Sequence, residues 1–212
     1  MVRAPSFAGV ILAAGESSRM GTDKALLPWP PVASGQSIAS NTFLSAAIRS
    51  LALSDFVLIV AGKNESVLAP IVYANGASLI VNPDPGRGQF SSLQVGLREV
   101  LNRGRDAAIV TPIDRPPVSA GTVRVLRDAF EVSGDDIWAI IPEFTGRHGH
   151  PIVVGREMIE AFLRARPDSS AREVLALHQD RLRYIAVDDP FVALNINTPE
   201  EYKQLEAHSG IL

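Results

Sequence analysis

Short, unbroken apolar runs alternate with helix-like periodicity along the first two thirds of the chain. Ala8–Leu12, Phe56–Ala61, Ser78–Val81, Ala107–Thr111 and Ile137–Ile141 are five such runs, each closed by Gly, Asn-Pro or Pro. Runs of this length without polar alternation suit strands of a parallel sheet covered on both faces. In the fifth run, Pro142 is expected to stop the strand.

Between the runs, apolar residues recur at helical spacing. Ser37–Leu53 aligns Ile38, Phe43, Leu44, Ala47, Ile48 and Leu51. Ser91–Leu101 and Val118–Val132 show the same period of 3.6. Strand–helix–strand alternation predicts right-handed crossovers and an α/β three-layer sandwich around a mostly parallel, Rossmann-like sheet. The last third reads as a short strand at Ile152–Val154, helices over Arg156–Arg166 and Ser170–His178, and a strand at Leu182–Val187. A final helix opens at Thr198-Pro199-Glu200-Glu201, with Thr198 as N-cap and Glu201 completing a capping box. No repeat or linker interrupts the pattern, so a single domain over residues 1–212 is expected.

Composition narrows the chemistry. The 212 residues are 46% apolar and carry 20 basic against 23 acidic side chains, a net charge of −3. That balance argues against a general nucleic-acid or membrane-surface binder. The absence of Cys excludes thiolate metal sites and a cysteine nucleophile. The N-terminus lacks a signal-peptide pattern and no run is long enough to cross a bilayer, so a cytoplasmic protein is expected.

In an open α/β sheet the ligand lies beyond the carboxyl ends of the strands. The segment after the first strand, Leu12 to Lys24, holds Gly15, Gly21, Ser17, Ser18, Arg19 and Lys24. Glycines let the backbone turn tightly, and the exposed amides of such a turn form an anion-binding concavity. Arg19 can fork two phosphate oxygens and Lys24 adds a mobile charge. The spacing is neither that of a Walker A loop nor of a dinucleotide fingerprint. The chemistry is that of a polyphosphate cradle, the alternative being an ordinary Gly/Ser turn with two solvated cations.

The run Leu12-Ala-Ala-Gly-Glu-Ser-Ser-Arg-Met-Gly-Thr-Asp-Lys24-Ala-Leu-Leu27 resembles the signature L-A-[AG]-G-x-S-x-R-M-G-x-x-K-x-L-L of the MobA-like nucleotidyltransferases. Asn82, then Gly88-Gln-Phe-Ser91-Ser92-Leu93, resembles that family's second nucleotide-binding segment. Ile113-Asp114-Arg-Pro116 is similar to its G-D-x-P metal turn, with Ile where Gly is usual, and the bulky residue is expected to shift the Asp slightly. Gly149-His150-Pro151 and Asn195-Ile-Asn197-Thr198-Pro199-Glu200 resemble later motifs.

The resemblance implies the fold of the nucleotide-diphospho-sugar transferases and transfer of a nucleoside monophosphate from an NTP to a phosphate-bearing acceptor. It implies nucleotide contacts from Leu12, Ala13, Ala14, Gly15, Ser17, Ser18, Gly21, Lys24, Asn82, Gly88, Ser91, Ser92 and Leu93. Arg19, Lys24 and Asp114 carry the catalytic role, and Asp114 with Asn195 the Mg²⁺. Asp114 could instead cap the next helix, but Ser119 is the better candidate cap. Asn197 reads as a turn residue before Thr198, and Ser91 or Ser92 as a helix cap. Arg147, His148 and His150 could form a basic rim for the acceptor phosphate, or simply a turn before a strand. The Ala-Ala-Gly loop is similar to the cytidylyl-transferring branch, implying CTP and a molybdopterin acceptor, with a molybdoenzyme or its chaperone receiving the product. The Asn-x-Asn-Thr-Pro-Glu run is closer to the guanylyl-transferring branch. A non-catalytic NTP-binding module is the alternative outside enzymes, and it would not require Asp114.

Overall fold

The computed structural model describes residues 4–15, 17, 20–31 and 41–206. Eight strands form one sheet, β1 (Phe7–Leu12), β2 (Phe56–Ala61), β3 (Ser78–Val81), β4 (Ala107–Pro112), β5 (Ala139–Phe144), β6 (Arg147–His148), β7 (Ile152–Gly155) and β8 (Leu182–Ala186). Their order is β3-β2-β1-β4-β7-β5, with β8 beside β5. All neighbours are parallel except β6 and β7, which run against β4 and β5. Glu143 pairs with β6 on one edge and β8 on the other, so β6 and β7 are two pieces of one interrupted strand. The interruption is Gly149-His150-Pro151.

Seven α-helices are described: α1 (Phe43–Ser50), α2 (Glu65–Ala74), α3 (Gln89–Asn102), α4 (Ala120–Glu131), α5 (Arg156–Arg164), α6 (Ala171–Leu177) and α7 (Pro199–Glu206). Successive strand residues feed opposite faces. Phe7, Ile11, Ile59, Ile109 and Val153 pack with α1, α2 and α4. Ala8, Val10, Leu12, Val60 and Val110 pack with α3, α5 and α6. Every residue of β1 and β4 is buried, which is why these strands read as unbroken apolar runs. The expected three-layer sandwich and mostly parallel sheet are both present.

Four elements differ from the sequence pattern. α1 begins at Phe43 rather than Ser37, because Thr42 caps it through Ser45 N–H. Residues 37–40, including Ile38, lie outside the described part. α2 carries Pro70 inside it and gave no clear periodic signal. β5 starts at Ala139, not Ile137, and runs through Pro142 to Phe144. The Pro142 carbonyl accepts from Gly149 N–H, on the edge where the β6–β7 strand is interrupted. A missing donor there costs no ladder bond. β6, only two residues long, was not anticipated.

The chain adds β2 and β3 on one side of β1, then places β4 on the other. The topological switch point is therefore between β1 and β4, and their carboxyl ends, Leu12 and Pro112, mark the crevice where a ligand belongs.

Candidate active site

The pairing of β1 continues past its end. Ala13 N–H donates to Val60 O and Ile113 N–H to Leu12 O, both at 2.9 Å. These bonds hold the two post-strand turns together. A Cβ on Gly62 would come within 2.7 Å of the Ala14 carbonyl, so only glycine lets the turn after β2 lie under this loop. The Asn64 amide ties the same region, donating to Ala13 O (2.9 Å) and Asp23 Oδ2 (2.6 Å). Gly21 takes a left-handed φ of 68°, which glycine adopts without steric cost. Ser17 Oγ accepts from Lys24 N–H, closing the turn. Ser18 and Arg19 lie outside the described residues.

A cavity of about 200 Å³ lies at this end of the sheet, lined in part by Ala14, Gly15, Ser17, Lys24, Ser92 and Asp114. Lys24 Nζ donates to Asn197 Oδ1 at 3.0 Å. Asp114 Oδ1 is shielded from solvent and has no hydrogen-bond partner. An orphaned carboxylate oxygen costs free energy unless a ligand takes it up. No cluster of three His, Cys, Asp or Glu suited to a metal occurs among the described residues. A single carboxylate completed by substrate phosphates and water is nonetheless a familiar Mg²⁺ arrangement, and Asp114 fits it. Ile113 turns its side chain into the core, where it is 7% exposed. Ser119, not Asp114, caps α4 by accepting from Thr122 N–H.

The second segment divides its labour. Asn82, 3% exposed, donates to Ser91 Oγ (2.8 Å) and Ser92 Oγ (3.0 Å) and accepts from Asp84 N–H. Ser91 also donates to Gly88 O. Asn82 and Ser91 thus pin the 84–88 loop to the start of α3 and line neither cavity. Gly88 and Leu12 line both cavities, and Leu93 lines the larger one described next.

The larger cavity, about 880 Å³, adjoins the first through Leu12, Gly88 and Gln89. Its apolar floor includes Phe90, Leu93, Val110 and Ile152. Its charged lining consists of Arg87, Arg115 and Arg172, and the imidazoles of His148 and His150 line it as well. His148 stacks on Tyr184, with centroids 4.0 Å apart, and its Nε2 lies 3.2 Å from Glu143. Burial, aided by the charge of Arg115, pushes the His150 imidazole down to about 3, so it is neutral. Arg147 is exposed and does not line the cavity. Asn195 is exposed and lines neither cavity.

The segment between β8 and α7 binds these parts together. Val192 O accepts from His150 N–H, Ala193 O from Arg147 Nη2, and Leu194 O from Arg115 Nη1. Ile196 N–H donates to Asp114 O at 2.8 Å. Asp189, 6% exposed, anchors the segment by accepting from Ser119 N–H, Thr122 Oγ1 and Phe191 N–H. A Cβ on Gly149 would sit 1.7 Å from Val192 O, so no other residue allows this approach.

Comparison with known proteins decides the family. The model for the MobA-like NTP transferase domain matches residues 9–183. The chain belongs to this family. It is a nucleotidyltransferase. One relative is a probable molybdenum cofactor guanylyltransferase of Rhodopirellula baltica, 27% identical over 93% of this chain and 90% of that protein. Another is the molybdenum cofactor cytidylyltransferase of Escherichia coli, 26% identical over 91% and 92%. The crystal structure of Rv0371c from Mycobacterium tuberculosis superposes with a TM-score of 0.78, at 26% identity, over 96% of this chain and 98% of that one. A second structure of Rv0371c is a complex with manganese, with a TM-score of 0.73 at 23% identity over 94% and 97%.

Several site-building residues of this MobA-like transferase were missed in the sequence. Gly62 and Asn64 belong to an unremarkable turn after β2. Asn197 reads as a turn former, yet its side chain meets Lys24. Arg115 was passed over as the variable position beside Asp114. Each gains its place from a contact distant in sequence, which periodicity does not register.

Proposed function

We propose that this transferase moves CMP from CTP to the phosphate of a molybdopterin-type acceptor and releases pyrophosphate. The observation that carries the reading is the small cavity in which Gly15, Lys24 and the orphaned Asp114 carboxylate meet, open beside a larger cationic cavity. In this reading the triphosphate lies along the loop after β1. Lys24, with Arg19 and the loop amides, meets the phosphates, and Asp114 holds a divalent ion taken as Mg²⁺; Asn195, expected as a second ligand, is exposed and lines neither cavity. When bound, that ion neutralises charge on the phosphates and the departing pyrophosphate.

The acceptor needs no strong base. A phosphate monoester has a second pKa of about 6 and is largely dianionic at neutral pH. One of its oxygens forms the new bond to the α-phosphorus as the α–β bridging P–O bond breaks. Pyrophosphate departs with the electron pair. The chain's residues supply position and charge complementarity in a partly enclosed cavity. His148 and His150, which line the larger cavity, belong to the acceptor side in this scheme, whereas Arg147 lies outside that lining.

Support for CTP comes from the Ala13-Ala14-Gly15 loop, which resembles the cytidylyl-transferring branch. The second reading is guanylyl transfer, favoured by the Asn-x-Asn-Thr-Pro-Glu run, whose Asn197 touches Lys24. Both activities occur in the names of relatives. No helix among the described residues is long and apolar enough to cross a membrane. A cytoplasmic site, handing product to a molybdoenzyme or its chaperone, is part of the proposal.

The test is a panel of CTP, GTP, UTP and ATP with Mg²⁺ or Mn²⁺ and molybdopterin, following pyrophosphate. CTP should lead. A preference for GTP overturns the base assignment, and release with no nucleotide overturns the transfer reading.

A further inference from the structure

Residues 114 and 115 are consecutive but face different spaces. Asp114 lines the small cavity and Arg115 the large one. The wall between the two cavities thus presents a carboxylate to one side and a guanidinium to the other.

The Arg115 guanidinium is half-buried and held in place by its Nη1 bond to Leu194 O at 3.0 Å. Its Nε is shielded from solvent and has no partner. Nearby, His150 lines the same cavity, and its Nδ1 is also buried and unpartnered. Both residues thus belong to the cavity lining and each keeps one polar atom without a partner beneath it, at a cost in free energy. No Asp or Glu contributes to that lining, whereas three Arg do. In a chain of net charge −3, this concentration of positive charge marks a place built for an anion. Arg is suited to it, because its fork matches phosphate oxygens in two-point contact.

We propose that Arg115, with His150 beside it, seats the phosphate group of the acceptor and presents it to the nucleotide where the two cavities adjoin. Arg115 is therefore an acceptor-binding residue that nothing in the family motif marks. The proposal rests on the nucleotidyl-transfer reading for the identity of the anion, but its chemistry is a phosphate monoester in either case.

The intact protein, with ¹⁵N-labelled arginine and histidine side chains, is titrated with phenyl phosphate in the presence of Mg²⁺ and a non-hydrolysable CTP analogue. Acetate at equal ionic strength is the control. The Arg115 Nε and His150 ring signals should move saturably with phenyl phosphate and not with acetate. Arg115→Gln should weaken phenyl phosphate binding by roughly tenfold, the loss of one charged hydrogen bond, and leave the nucleotide analogue within about twofold. Unmoved signals in the unmodified protein overturn the proposal, as does an equal response to acetate. So does a variant that loses the nucleotide instead. Failure of the CTP analogue to bind sinks the transfer reading alone, because the same titration without nucleotide still reports on Arg115.

Discussion

The loop after β1 and the segment 189–197 both touch the small cavity's machinery, yet they are built in opposite ways. The loop follows a wholly buried strand and is shaped by its own glycines and by its neighbour turn at Gly62. Segment 189–197 contributes carbonyls and one amide rather than a motif of charged side chains. Its backbone accepts from His150, Arg147 and Arg115 and donates to Asp114. In the proposed function, one region supplies the groups that face the nucleotide. The other fixes where the basic residues and the carboxylate stand. All of this second region lies beyond the stretch that the family model matches.

Substitutions can separate the two contributions. The largest effect is expected at Asp114. Asp114→Ala should lower divalent-dependent pyrophosphate release by at least about a hundredfold, with an unchanged urea midpoint. Withdrawal of the divalent ion with EDTA should do the same to the unmodified enzyme. Near-normal turnover in Asp114→Ala would remove the carboxylate from the proposed chemistry.

Next, Asp189→Ala should act through the fold. It strands Ser119 N–H and Phe191 N–H in a buried place and should cost about 3 kcal/mol in urea unfolding. Surviving folded enzyme should show a raised KM for the acceptor more than for the nucleotide. An equal rise in both would erase the distinction between the two regions.

A smaller effect comes with pH. Because His150 is held neutral down to about 3, the unfolded chain takes up its proton first as pH falls. Its contribution to stability is complete above about 6.5 and shrinks from there toward 3, at up to about 1.4 kcal/mol per pH unit. Urea midpoints measured at pH 7 and pH 5 should diverge less in His150→Asn than in the unmodified protein. An identical divergence would show that His150 does not carry it.

The smallest change is at the foot of the segment. Thr198 Oγ1 accepts from Glu201 N–H, and Thr198 N–H donates to Glu201 Oε2. Thr198→Ala should cost about 1 kcal/mol and leave both Michaelis constants alone. A shift in nucleotide KM would instead show that the cap controls the Lys24–Asn197 contact.

The legible parts of the molecule are those whose cause is local. β1 and β4 read as strands because both faces are covered, and α3 and α4 by their apolar stripes. Thr198 and Ser119 were readable as caps because their hydroxyls act within three residues. The failures have non-local causes. Pro142 by its type predicts a strand end, but the edge it faces is one where the neighbouring strand is broken. The start of α1 moved to Phe43 because residues 41 and 42 pair with Pro28 and Trp29. Asn82, expected as a nucleotide contact, and Ser91, expected as a contact or a cap, bond to each other and to the loop backbone, a role their spacing does not show.

The sequence by itself determined the alternation of strands and helices, the glycine-rich loop with Lys24, the family, and the position of Asp114 just after a buried strand. Those features depend on residue type and spacing along a few turns of chain. Tertiary structure alone decided that Asn197 meets Lys24, that Arg115 lines a second cavity beside the one Asp114 lines, and that Gly149 admits the 189–197 segment. These depend on backbone groups brought together from far apart, and an amide or carbonyl looks the same at every position in a sequence.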